Sequence, residues 1–236
     1  MSSCPRRLAL RLLLLGLPVT TAFMYAPAQS SSSSAHPATR LAKANYTLDP
    51  GSVTNGVYRN KALALTCKIP PGWVLRTDEL NAHSDDTQAD QKENQSARGS
   101  NSSSTPASSA GSKVLLAAFS RPPEAKGEEI NSSILIAAEN AASYPGLKEA
   151  AQYFYPLTEV AKAQGFIPDE DPYEIALGAK TLVRGDFHKD VGTRVMRQST
   201  LALLSHGYAI SITVIAGTDD DVEDLIDGLS FTAAGK

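Results

Sequence analysis

Cysteine is almost absent from the chain, with two in 236 residues, Cys4 and Cys67. Removal of an N-terminal leader would leave Cys67 alone, so no intrachain disulfide can form and the domain must rest on its apolar core. Basic clusters are lacking too. With 22 basic and 25 acidic residues and no lysine or arginine run, the chain has no electrostatic footprint for nucleic acid or for an anionic membrane surface. No serine sits in a Gly-x-Ser-x-Gly elbow, and there is no His-Glu-x-x-His, paired-cysteine metal motif or glycine-rich phosphate loop. Histidine, the usual acid–base group, occurs four times, at His36, His83, His188 and His206. Tryptophan occurs once, as Trp73.

What is present begins with a leader. Arg6 and Arg7 precede the apolar run "LALRLLLLGLPVTTAFMYA", and Ala26-Pro27-Ala28 supplies small residues for cleavage, so residues 1–28 read as a secretory signal. The run is interrupted by Arg11 and is too short for a transmembrane helix. An uncleaved anchor and an organelle transit peptide are the alternatives, the latter because Asp49 is the first acidic residue and Ser30 to Ser34 is a serine run. Cleavage after Ala28 removes three arginines and leaves 19 basic against 25 acidic residues, a charge of about −6. The mature chain then has no integral membrane segment and a secreted or periplasmic destination. Residues 29–44 are rich in Ser, Ala and Pro and read as a flexible tether. Residues 81–112 have a similar composition, with no aliphatic side chain larger than alanine, and read as a disordered insertion in preference to a lid. Sequons stand at Asn45, Asn94, Asn101 and Asn131.

One folded domain is expected over 45–231, with a tail at 232–236. "ALALTCKI" reads as a strand in which Leu63, Leu65, Cys67 and Ile69 share a face, making Cys67 a small buried hydrophobe. "KVLLAAFS" and "SSILIAAE" read as interior strands. The period then becomes helical at Leu147, Ala150, Ala151, Phe154, Leu157 and Ala161, and Pro156 within the stripe predicts a kink or two abutting helices. Four strands follow, "YEIAL", "TLVRGDFH", "RVMRQSTLALL" and "YAISITVI", the outer pairs joined at Gly178-Ala179 and His206-Gly207. A last helix starts at Thr218 or Asp219, with Asp219 to Asp221 in its first turn and a stripe of Val222, Leu225, Ile226 and Leu229. Strands, helix, strands, helix indicate an α+β domain, a mostly antiparallel sheet with helices packed on it.

The stretches "VYRNKALALTCKIPPGWVL", "VLLAAFSRPPEA" and "YAISITVIAGTDDDVEDLIDGLSF" together resemble the PsbP-like domain family over about residues 45–231. "RPPEA", "SYPGLKEAAQYF" and "GAKTLVRGDF" are similar to secreted, uncharacterised bacterial members of that family, of acidobacterial type. The resemblance implies an antiparallel sheet between helices, and an accessory or partner-binding role in place of catalysis.

Four features invite a functional reading. Trp73, after Pro70-Pro71-Gly72, reads as a packing corner over a sheet end, with ligand stacking as the alternative. In "RGDFHKD", Asp186, His188 and Asp190 recur at every second residue and are the candidate metal ligands, although Lys189 to Gly192 reads as a turn that would swing Asp190 away. Arg184-Gly185-Asp186 spells an adhesion tripeptide but falls within a strand. Asp219 to Asp221 lack the calcium-loop spacing and read as helix capping. The function expected is therefore a secreted or periplasmic, non-catalytic accessory protein, without catalytic residues or cofactor, that binds a protein or envelope partner. The alternatives are a metal- or small-ligand-binding module using Asp186 and His188, and a hydrolase dependent on His188 or His206.

Overall fold

A computed structural model describes residues 48–82, 112–127 and 129–233. The leader, the tether, most of the insertion, the last three residues, His36, His83 and the sequons at Asn45, Asn94 and Asn101 lie outside them.

Among the described residues are twelve strands, two α-helices of nine or more residues, a helical segment at 77–82 and a 3-10 turn at Ala141–Ser143. A four-stranded sheet contains β1 (Ser52–Thr54), β2 (Val57–Asn60), β3 (Leu65–Lys68) and β12 (Leu229–Phe231) in the order β1-β2-β3-β12. A larger sheet contains β4 (Val74–Leu75), β5 (Ser112–Phe119), β6 (Ser133–Asn140), β7 (Ile167–Pro168), β8 (Tyr173–Leu177), β9 (Lys180–Val191), β10 (Arg194–Ser205) and β11 (Tyr208–Ala216). Its order is β4-β5-β6-β11-β10-β9-β7, with β8 also paired to β9. Among the described residues every strand pairing is antiparallel. Helix α1 (Ala150–Ala163) and helix α2 (Asp219–Asp227) complete the α+β architecture expected from the sequence.

Two of the hairpin turns are left-handed at both central residues. Asn55 and Gly56 (φ 52° and 70°) join β1 to β2, and His206 and Gly207 (φ 53° and 81°) join β10 to β11. Left-handed backbone at both central positions matches the twist of paired strands, which is why short polar residues and glycine stand there.

The main core lies on one face of the large sheet, under the small sheet and α2. Ile134, Ile136, Leu201, Leu203, Ile210, Ile212 and Val214 meet Leu63, Leu65 and Cys67 from the small-sheet side and Val222, Leu225 and Ile226 from α2. Cys67 is fully buried, and burial pushes its thiol up from 9.0 to about 12, so it is a core hydrophobe. On the opposite face, Tyr153 and Phe154 of α1 pack over Val183, Ala202 and Ala209. Gly185 lies beneath Phe154 in β9, so the ring rests where a side chain would otherwise stand. A capping box closes the start of α1, Glu149 taking the Gln152 backbone N–H and Gln152 returning the bond. At α2, the Thr218 hydroxyl accepts from the Asp221 N–H at 3.1 Å.

Several expectations are corrected. A single helix runs through Pro156, where two abutting helices were an option, and Tyr153 is buried in it while Ala151 is exposed. Leu229 is buried but belongs to β12, because Gly228 ends α2. Leu63 is buried from a turn preceding β3, in which Ala64 has φ 55°. β9 continues to Val191, so Lys189 to Val191 is strand, and the turn comes later than expected, at Gly192-Thr193, with Val191 paired to Arg194.

Ordered structure also enters the expected insertion from both sides. Residues 77–82 are helical, and the Asn81 side chain both accepts from the Val114 N–H and donates to the Val114 carbonyl, each at 3.0 Å. The Thr77 hydroxyl oxygen accepts from the Ala117 N–H at 3.0 Å. At Asn131, the side-chain oxygen accepts from the Ser120 hydroxyl and the Arg121 N–H, and its amide nitrogen donates to the Arg121 carbonyl at 3.0 Å. That nitrogen is the atom a glycan would modify. Among the described residues no helix is long and apolar enough to cross a membrane.

Candidate functional site

Asp186, His188 and Asp190 do fall on one face of β9, as their spacing requires, because the strand runs through all three. Each of the first two is committed to a neighbour. Asp186 takes the Arg184 Nε–H at 2.9 Å on one oxygen and the Tyr173 hydroxyl at 2.8 Å on the other. Arg184 also donates to Glu223 of α2, Nη1 to Oε2 at 3.1 Å. Burial disfavours the guanidinium charge, but the hydrogen bonds to Glu223 and Asp186 outweigh that and hold it charged more firmly than usual. Burial of the Tyr173 hydroxyl and its bond to Asp186 push that phenol up to about 12.

His188 Nδ1 meets Asp169, from the connection between β7 and β8. Arg197, opposite His188 on β10, approaches Asp169 at 3.9 Å and Asp219 at 3.3 Å. Asp190 lies near the exposed end of the strand, opposite Val195. The cluster thus ties α2 and the Asp169 segment to β9 and β10 by charge-assisted bonds. Among the described residues no group of three or more His, Cys, Asp or Glu side chains converges to hold a metal ion. The Arg184-Gly185-Asp186 tripeptide is inside β9.

At the tip of the β10–β11 hairpin the Ser205 hydroxyl lies 2.9 Å from His206 Nδ1. The two are neighbours in the chain, Ser205 half-buried and His206 exposed.

The Pro70–Trp73 corner makes the more accessible site. Ile69 donates its N–H to the Gly56 carbonyl at 2.8 Å, and the Trp73 N–H turns back to Pro70. Trp73 then packs against the main core with part of its ring exposed. It forms the wall of an open depression of about 810 Å³ between the β1–β2 hairpin, β4 and the end of α2. The apolar lining is Val53, Val57, Ile69, Trp73, Leu75 and Leu225. Val53 and Leu75 are among the exposed large hydrophobic residues, at 37% and 44%. Asp224, Asp227 and Lys68 supply the charges on the rim. A second depression of about 340 Å³ lies over Tyr144, Pro145, Gly146, Leu147, Gln152 and Tyr153. The sequence signalled the corner but not the depression, because the wall joins residues 53, 75 and 225, which are far apart in the chain.

The sequence matches no protein-family model and no curated protein. Among solved structures, the chain is similar to a Pseudomonas aeruginosa protein of unknown function, PA94, at 18% identity and a TM-score of 0.31, over 43% of this chain and 68% of that one. It is also similar to LpqN, involved in cell envelope biogenesis of Mycobacterium tuberculosis, at 13% identity and a TM-score of 0.36, over 77% of this chain and 85% of that one.

Proposed function

We propose that this chain is a secreted or periplasmic, PsbP-like accessory protein without catalytic activity, and that it works by binding a protein partner at the Trp73 depression. The observation that carries this reading is the exposed apolar wall. Of the seven exposed large hydrophobic side chains among the described residues, Val53 and Leu75 are the two that share a depression with a half-buried tryptophan. Clustered exposure of that kind is costly to keep unless it is covered in use, and a tryptophan near the centre of such a surface is a frequent energetic anchor. Binding is favoured over chemistry because Asp186 is already held by Arg184 and Tyr173, and His188 by Asp169.

Cross-linking in the native cells, read by mass spectrometry, tests it with the wild type and Leu75→Asp side by side. One dominant partner, linked through Lys68 and lost from the variant while the fold is retained, is the expected outcome. A partner linked elsewhere, or captured equally by Leu75→Asp, overturns the assignment of the depression.

A further inference from the structure

The electrostatics of the depression restrict what can occupy it. Helix α2 ends at its rim, and no basic residue stands in the last turn of that helix. The unpaired carbonyls of a helix C-terminus already carry partial negative charge, which a cation there relieves and a carboxylate aggravates. Asp224 and Asp227 are nonetheless both at this end, and among the described residues neither makes an ion pair. Earlier in α2 the acids are partnered, since Asp219 in the first turn meets Arg197 and Glu223 in mid-helix meets Arg184. Lys68 is the one basic side chain in the lining, against two carboxylates and the helix end.

The geometry of β4 adds a second restriction. It is the outer strand of the large sheet among the described residues, paired only to β5. Val74 pairs with Phe119, and the Arg76 N–H donates to the Ala117 carbonyl at 2.9 Å. Hydrogen-bonded pairs alternate along an antiparallel ladder, so the Leu75 N–H and C=O point away from β5 toward the open side. An extended segment can add there, and edge strands are where such addition occurs.

We propose that the depression takes an extended segment of a partner protein that carries a large apolar side chain next to a lysine or arginine. It would lie along the free edge of β4, its apolar group against Trp73 and its cation at Asp224 and Asp227. This rests on the reading of the depression as the partner-binding face. Trp73 is the only tryptophan in the chain, so its emission reports the site directly.

The probes are the peptides acetyl-KLKLK-amide and acetyl-ELELE-amide, titrated at low ionic strength into the full chain and into an Asp224→Asn/Asp227→Asn variant. The basic peptide is expected to give a saturable blue shift that weakens with added salt. Affinity should be roughly tenfold lower in the variant, the scale for two rim charges, and the acidic peptide should give no saturable change. Equal response to both peptides, an unchanged affinity in the variant, or no response to the basic peptide overturns the proposal. If native cross-linking still maps to the depression in that event, the partner-binding face stands and only the ligand chemistry is wrong. If the cross-links fail as well, both fall.

Discussion

Gly185 offers a sharp test of how α1 is seated. A Cβ built at this position would lie 2.5 Å from Phe154 Cε1 and 3.1 Å from Cδ1, well inside the roughly 3.5–4.0 Å at which carbon atoms attract. Phe154 is 2% exposed and enclosed by α1 and the sheet, so the ring has no open space to move into. Gly185, Ala202 and Ala209 provide the shallow floor on three neighbouring strands that receives the Tyr153 and Phe154 rings. Gly185→Ala therefore overpacks the interface, at about 1–3 kcal/mol. Backbone preference works the other way, since alanine is favoured over glycine inside a strand by roughly 0.5–1 kcal/mol. The net expected loss is about 1–2 kcal/mol. It should appear as a lower urea midpoint with an unchanged m value. Phe154→Leu alone is expected to cost about 1–2 kcal/mol by leaving a cavity. The double variant should be less destabilised than the sum of the two, by about 1 kcal/mol, because the smaller side chain vacates the space the new methyl needs. Additivity within about 0.5 kcal/mol, or a Gly185→Ala protein as stable as wild type, would refute the packing argument.

Asn131→Ala should lower stability by about 1–3 kcal/mol, because the Arg121 N–H and C=O lose their shared partner; a melting point unchanged from wild type would count against it. For the same reason Asn131 should stay unmodified in a glycosylating host, which peptide mapping by mass spectrometry decides. The chain should also lose stability at alkaline pH. Burial raises Cys67 from 9.0 to about 12 and Tyr58 from 10.0 to about 12, so above pH 9 the folded state retains protons that the unfolded chain gives up. Stability then falls with rising pH, by up to about 1.4 kcal/mol per pH unit for each group. Urea midpoints followed to about pH 11 should show a shallower fall for Tyr58→Phe above pH 10, and identical slopes would exclude Tyr58 as a contributor.

Elements with a full period of side chains were legible in the sequence. β5, β6, β9, β10 and β11 are long enough for apolar runs or alternation to show, and α2 was marked by Thr218 and the acids after it. β1, β4, β7 and β12 have two or three residues each and carry no period. Two of these, β1 and β4, flank the depression, so the division into two sheets and the gap between their edges could not be read locally. Leu229 failed for a related reason. It stands three residues after Ile226, a spacing that suits a helix stripe, and only Gly228 hints that the chain has already changed to strand. The polar letters of Lys189 to Gly192 suggested a turn, yet the end of a two-stranded ladder can be solvated on both faces and stay extended.

Charge was the least legible property, because a carboxylate is defined by its surroundings. Asp186 and Asp224 are the same residue type in different company, the first in "RGDFHKD" and the second in "DDDVEDLIDG". Asp186 is satisfied by Arg184 two positions away and by Tyr173 thirteen positions away, and the same arginine reaches Glu223 thirty-nine positions on. The regular spacing that drew attention to Asp186 and His188 thus marks a strap across the sheet, with its charges spent internally. Asp224 and Asp227 attracted no notice in the sequence, since the acids before them were explained by capping. Capping accounts for carboxylates at the start of a helix and makes those at its end harder to explain. That signal was present in "DDDVEDLIDG", which carries acids to its last turn and no base. The same logic dissolves the choice posed by Trp73. A ring half-buried against the core and lining a depression is a packing corner by its inner face and, on our proposal, a docking surface by its outer one. On our proposal, Asp224 and Asp227 at the end of α2 beside it would give that surface its preference for a cationic partner.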